Sequence, residues 1–106
     1  MDLRIVLTTV GSEAAAGKLA ETLVAEKLAA CVSVVPAAFS VYRWKDRVEK
    51  EPEWLLVIKT LADRVDTLKS QLEALHPYEL PEIVELEPSS VSPKYIAWVA
   101  EATRKP

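Results

Sequence analysis

His76 is the only histidine in the chain and Cys31 the only cysteine. A centre of two or three imidazoles within one chain is therefore excluded, although catalytic and structural metal sites need three or four donors. His76 is left as a single metal ligand or as a proton-transfer residue. Beside these stands a plainer reading, in which His76 closes a helix and its imidazolium meets the negative end of the helix dipole. Cys31 would offer Cu(I) a soft thiolate. With no second cysteine to join it, its expected place is the core, where a free thiol behaves as a small hydrophobe.

A second set of polar side chains is Tyr42, Lys59, Tyr78 and Glu82. Lys59 follows the apolar run Trp54-Leu55-Leu56-Val57-Ile58, and it shares strand parity, hence a sheet face, with Glu53. A lysine there extends to water along its stem or meets an anion. Pro77 and Pro81 stiffen the segment that carries Tyr78 and Glu82, as a binding loop requires. The structural alternative is that the prolines shape a helix-to-strand turn and Glu82 pairs with Lys59. Trp44 and Trp54 flank a hairpin and suit a subunit interface. Tyr95 and Trp98, on the last helix, are expected to pack against a sheet edge.

The elements that must position these groups follow from periodicity. Leu3 to Val10 is a nearly continuous apolar run closed by Gly11, which predicts a buried strand. Ser12 is a cap for a helix whose face carries Leu19, Ala20, Leu23, Val24 and Leu28. Cys31 to Trp44 reads as a strand bent at Pro36, which has no amide to donate and so belongs at an edge or a bulge. Lys45-Asp46-Arg47 is a hairpin turn, with Asp46 most tolerant of a left-handed backbone, and the return strand ends at Thr60. Leu61, Val65, Leu68, Leu72 and Leu75 predict an amphipathic helix stopped by Pro77. Ile83 to Glu87 alternates as a strand with Val84 and Leu86 on one face. Ser92-Pro93 opens a last helix. The order β-α-β-β-α-β-α describes an α+β ferredoxin-like plait, βαββαβ, with an extra C-terminal helix, over residues 1–106 as one domain.

Composition bounds the functions. At 106 residues, 50% of them hydrophobic, the chain has enough apolar surface for one small core and gains from self-association. A net charge of −3 argues against a nucleic-acid partner, because phosphate backbones need clustered Lys and Arg. No stretch reaches the roughly 20 apolar residues of a membrane span. The start, Met1-Asp2-Leu3-Arg4, lacks a cleavage-site pattern, and a single cysteine suits a reducing compartment, so the cytoplasm is the expected location.

Several segments in order, Leu28-Ala29-Ala30-Cys31-Val32, Ser40-Val41-Tyr42-Arg43-Trp44, Ile58-Lys59-Thr60, His76-Pro77-Tyr78-Glu79-Leu80-Pro81-Glu82 and Tyr95-Ile96-Ala97-Trp98, resemble the divalent-cation-tolerance (CutA) family. His-Pro-Tyr-x-x-Pro-Glu is the most specific of them. The resemblance implies a ferredoxin-like subunit in a homotrimer built by strand pairing, a link to copper and other divalent cations, and no enzyme activity. It also implies an inter-subunit cleft lined by Tyr42, Glu53, Lys59, Tyr78, Glu82 and Trp98. Some members carry a Cys where this chain has Thr8 and two adjacent His where it has Leu75-His76, so two soft donors are missing here.

The competing class is a PII-like small-molecule or signalling trimer, which shares the plait and would place an anion near Lys59. Gly11 and Gly17 are the only glycines, so no Gly-rich phosphate cradle exists. A hydrolase or isomerase using His76, Tyr78 and Glu82 as acid–base groups has no accompanying nucleophile motif.

Overall fold

The computed structural model describes residues 1–105, and its first strand, β1, spans Leu3–Val10. Val6, Thr8 and Val10 on β1 are fully buried, while Ile5, Leu7 and Thr9 face the other way and are half-buried. Helix α1 spans Glu13–Ala25, and the Ser12 hydroxyl accepts from the Ala15 amide, satisfying one donor at the helix start. Its buried stripe is Ala16, Leu19 and Leu23. Val24, expected on that stripe, lies one residue further round the helix and is 41% exposed. Leu28 is buried only after the helix has ended. Lys27 there takes a positive φ of 60°, the Leu28 amide bonds the Leu23 carbonyl and the Lys27 amide bonds that of Val24. This is the Schellman closure, which brings Leu28 back onto Leu23.

Strands β2, Cys31–Trp44, and β3, Arg47–Leu61, form the long hairpin. Pro36 falls in the one register break between them, at Val35/Ala38, and β2 is an edge strand, so both conditions for a proline in a sheet are met. The two-residue turn puts Lys45 at φ 49° and Asp46 at φ 66°, so both residues are left-handed, as the twist of a tight hairpin demands. After a 3-10 turn at Ala62–Arg64, helix α2 spans Val65–Leu75 and buries Val65, Leu68 and Leu72. The two ends of the expected stripe fall outside that contact. Leu61 is the last residue of β3, buried beside Leu3 and Val99, and Leu75 is 42% exposed.

Strand β4, Val84–Leu86, completes an antiparallel sheet of order β2-β3-β1-β4, and helix α3 follows at Pro93–Ala102. The fold is the α+β ferredoxin-like plait, with α1 and α2 on one face over Val6, Val10, Leu56 and Ile58. Helix α3 lies on the opposite face, its Val99 against Leu3, Ala30 and Leu61. The alternation of β4 holds with the polar side toward the helix layer. Glu85, opposite Val6, is held by Arg4 at 3.1 Å and Lys69 at 2.9 Å, and the Lys69 hydrogen bond leads in holding its carboxyl below the usual range. Val84 and Leu86 lie on the opposite side of the sheet from α1 and α2, each 43% exposed. Among the described residues no helix is long and apolar enough to cross a membrane.

The hairpin outruns the rest of the sheet. β1 pairs only with Trp54–Leu61 of β3, so Ala38–Trp44 and Arg47–Glu53 pair with each other alone. The resulting two-stranded ribbon stretches the molecule to 44 Å and its radius of gyration to 14.4 Å, against about 13 Å for a compact chain of this length. Phe39 (64%), Val41 (59%) and Val48 (67%) are exposed along it.

Candidate functional site

The site is built where α2 hands the chain to the Pro77–Glu82 segment. The His76 amide makes the last bond of the helix, to the Leu72 carbonyl, and Pro77 has none to continue it. His76 turns to an extended backbone at ψ 134°, and its ring enters the space beside β1, where it is 8% exposed. There Nδ1 accepts from the Tyr78 amide at 3.1 Å. An amide can only donate, so Nδ1 holds a lone pair and the proton sits on Nε2, 3.0 Å from the Thr9 carbonyl and 3.1 Å from the Thr8 hydroxyl. Burial holds the His76 pKa below 6.5, against the opposing pull of the Thr9 carbonyl and the Glu53 charge. The helix-ending imidazolium is thereby corrected to a buried neutral ring. Both ring nitrogens are engaged by protein groups, and no lone pair is left to point at a metal.

Tyr78 lies with its ring 4.9 Å from that of His76 and donates its hydroxyl to Glu53 Oε2 at 2.7 Å. The hydroxyl passes over Gly11, where a Cβ would stand 3.1 Å from the phenol oxygen. Burial first, then the hydrogen bond to the Glu53 carboxylate, holds the phenol well above its ordinary pKa. Glu53 itself is 6% exposed. Tyr42 titrates above its ordinary value too, from partial burial and then the charges of Glu51, Glu49 and Glu53.

Around these groups opens a cavity of about 700 Å³, between the ribbon and the Pro77–Glu82 segment. Tyr42, Glu53, Tyr78 and Glu82, all singled out in the sequence, line it together, with Thr9, Arg43, Trp44 and Glu79. Within one chain Lys59 and Trp98 do not. Lys59 is six residues along β3 from Glu53, about 20 Å at strand rise. It donates to Ser33 Oγ at 2.6 Å and forms no ion pair with Glu82. Trp98 is 50% exposed beside Tyr95, ring centroids 5.7 Å apart. Cys31, expected in the core, is only half-buried. It pairs with Lys59 on the sheet face that carries α3, its Sγ 4.0 Å from Ser33 Oγ.

Thr9 and Gly11 were not marked by the sequence as part of any site. Gly11 carried one signal, a glycine at a strand end where another group passes close. Gly11→Ala is expected to displace the Tyr78 hydroxyl and weaken its bond to Glu53, costing about 1 kcal/mol, the net worth of one hydrogen bond. Urea unfolding of the variant measures this, and an unchanged midpoint would mean that the ring shifts freely.

The residues of one chain do not fit a resident metal. Among the described residues no group of three or more His, Cys, Asp or Glu is arranged to hold an ion, and His76 has no free nitrogen.

Comparison with known proteins adds the following. The family model described as CutA1 divalent ion tolerance protein matches residues 4–102. The divalent-cation tolerance protein CutA of Thermus thermophilus is 44% identical over 93% of this chain and 96% of its own length. The chloroplastic protein CutA of Arabidopsis thaliana is 41% identical over 94% of this chain, which spans 55% of that relative's length. In structure, the crystal structure of CutA from Xylella fastidiosa superimposes with a TM-score of 0.94 at 37% identity, covering 97% of this chain and 99% of that one.

Proposed function

The chain belongs to the CutA1 divalent ion tolerance family, and from that premise we propose a homotrimer that binds divalent metal ions, copper foremost, between its copies. The observation that carries the trimer is the ribbon of β2 and β3. An isolated two-stranded ribbon is marginal in water, and this one exposes Phe39, Val41 and Val48. Both outer strands, β2 and β4, also offer free edges to a neighbouring copy. Copper leads because it binds most nitrogen and oxygen donors more tightly than other divalent ions of its row. The ion is assigned between copies because the described residues of one chain include no group of three or more His, Cys, Asp or Glu arranged to hold it.

In this assembly the cavity becomes an inter-subunit cleft, with Lys59 and Trp98 contributed to it by a neighbouring copy. An anion is the poorer occupant of the part built by one chain, whose lining holds Glu53, Glu79 and Glu82 against Arg43 alone. The reading includes no catalytic step, since His76 is neutral and tied at both nitrogens. A reducing compartment, the cytoplasm, suits the half-buried free thiol of Cys31.

Light scattering tests the proposal on wild type and on Val41→Lys. Wild type is expected at the mass of three chains with copper uptake measurable by calorimetry. The variant, with a charge on the ribbon, is expected as a monomer that no longer takes up copper. A monomeric wild type, or copper uptake that persists undiminished in the monomer, would sink it.

A further inference from the structure

We propose that His76 is an acid-released latch: its neutral ring holds the Pro77–Glu82 segment beside β1, and a proton on Nδ1 lets that segment go. The latch rests on contacts inside one chain. What it regulates, the wall that Tyr78 and Glu82 give to the inter-subunit cleft, rests on the function proposed above.

The hydrogen bonds of the segment carry the inference. Among the described residues, two tie Pro77–Glu82 to the rest of its own chain, and Tyr78 makes both. Its amide donates to His76 Nδ1 at 3.1 Å, and its hydroxyl to Glu53 Oε2 at 2.7 Å. The far side of the ring is fixed, since Nε2 donates to the Thr9 carbonyl at 3.0 Å beside the Thr8 hydroxyl at 3.1 Å. Nδ1 is therefore the ring atom left to take a proton, and the Tyr78 amide hydrogen already stands there. An imidazolium has two N–H groups and no lone pair, so it would meet that amide donor to donor. Ring and amide cannot both keep their places once the proton arrives.

Few charged groups face the ring. Glu53 on β3 favours the imidazolium by its charge, and the end of α2 does so by its dipole. Tyr78 is a neutral phenol bonded to that same carboxylate, and β1 brings only Thr8 and Thr9. Burial outweighs these pulls and holds the ring below 6.5. A Lys59 brought to the cleft by a neighbouring copy offsets the Glu53 charge, so assembly acts in the same direction as burial. The ring of the released segment titrates near 6.5 and the latched ring lower. The latch is thus complete above 6.5 and weakens by up to about tenfold for each pH unit below it. Two hydrogen bonds worth about fivefold each make a latch of about 25-fold, which is lost by about pH 5.

The test is nuclear magnetic resonance of the full, assembled chain between pH 7.5 and pH 4.5, reading the His76 ring and the backbone amides together. The Tyr78 amide is expected to leave its hydrogen-bonded position, and residues 77–82 to approach unstructured values, on the midpoint of the ring at about pH 5. The amides of Val6 and Ile58, in the sheet core, are expected to stay as they are. Glu53→Gln keeps an acceptor for the Tyr78 hydroxyl and removes the other titrating partner of the segment, so the transition should persist in it. His76→Gln has no ring to protonate, and its segment should look the same at both ends of the range. A Tyr78 amide that keeps its place throughout, a ring that titrates at 6.5 or above, or the same transition in His76→Gln overturns the proposal. The readout needs neither metal nor ligand, so failure of the latch and failure of the copper site are told apart.

Discussion

His76→Ala is expected to lower stability by about 2–3 kcal/mol at pH 7.5 and to loosen the Pro77–Glu82 segment. The substitution leaves the Tyr78 amide, the Thr9 carbonyl and the Thr8 hydroxyl without their common partner. Each buried polar group left unpaired costs about 1–3 kcal/mol, and water entering the vacated space recovers part of that. The difference should depend on pH. Burial depresses the His76 pKa below 6.5 in the folded chain, so on acidification the unfolded imidazole takes a proton before the folded one does. Stability contributed by the neutral ring is complete above 6.5 and falls away as pH drops from there through the lower folded value. Urea unfolding of both proteins at pH 7.5 and pH 5 measures this. The two curves should approach each other in acid, and a gap independent of pH would show that the ring is not buried neutral.

Leu68→Ala is expected to cost about 3–5 kcal/mol. Leu68 is fully buried in the cluster that joins α2 to Val6, Leu56 and Ile58. Removing three carbons there loses their transfer free energy and leaves a cavity that a packed sheet cannot close, and leucine-to-alanine losses of about 2–5 kcal/mol result. A chain of this size has only about 5–15 kcal/mol in total, so the variant should unfold far below the wild-type temperature. Leu75→Ala is the control on the same helix. Leu75 is 42% exposed, and its loss should stay under about 1 kcal/mol. Comparable losses at both positions, read by denaturant unfolding, would contradict the burial that divides them. Because α2 delivers His76 to its seat, Leu68→Ala should also weaken any ligand of the cavity.

The local rules carried most of the fold. β1 and β2 begin and end where apolar runs, Gly11 and the Lys45-Asp46 turn predict, and Ser12 and Ser92 cap the helices assigned to them. The errors of extent have one cause. Leu28, Leu61 and Leu75 keep helical spacing, but spacing does not say where a helix stops being covered. A left-handed Lys27, a strand that runs on to Leu61, and the open end of α2 decide that.

By itself the sequence determined the plait, the bulge at Pro36 and the family resemblance, and that resemblance implied a cleft of Tyr42, Glu53, Lys59, Tyr78, Glu82 and Trp98, of which one chain brings Tyr42, Glu53, Tyr78 and Glu82 together. The plait and the bulge follow from period and turn chemistry, and the resemblance from the order of motifs along the chain. Only the tertiary structure decided that Thr8 and Thr9 close on His76, 68 and 67 residues away, and hold the Nε2 proton, while the Tyr78 amide takes the lone pair of Nδ1 that a metal would need. It also separated Lys59 from Glu53 within one chain, because parity assigns a sheet face and not a place along it. Which nitrogen of His76 carries a proton, and which carboxylate takes the Tyr78 hydroxyl, depend on partners that meet only when β1, β3 and the Pro77–Glu82 segment pack together.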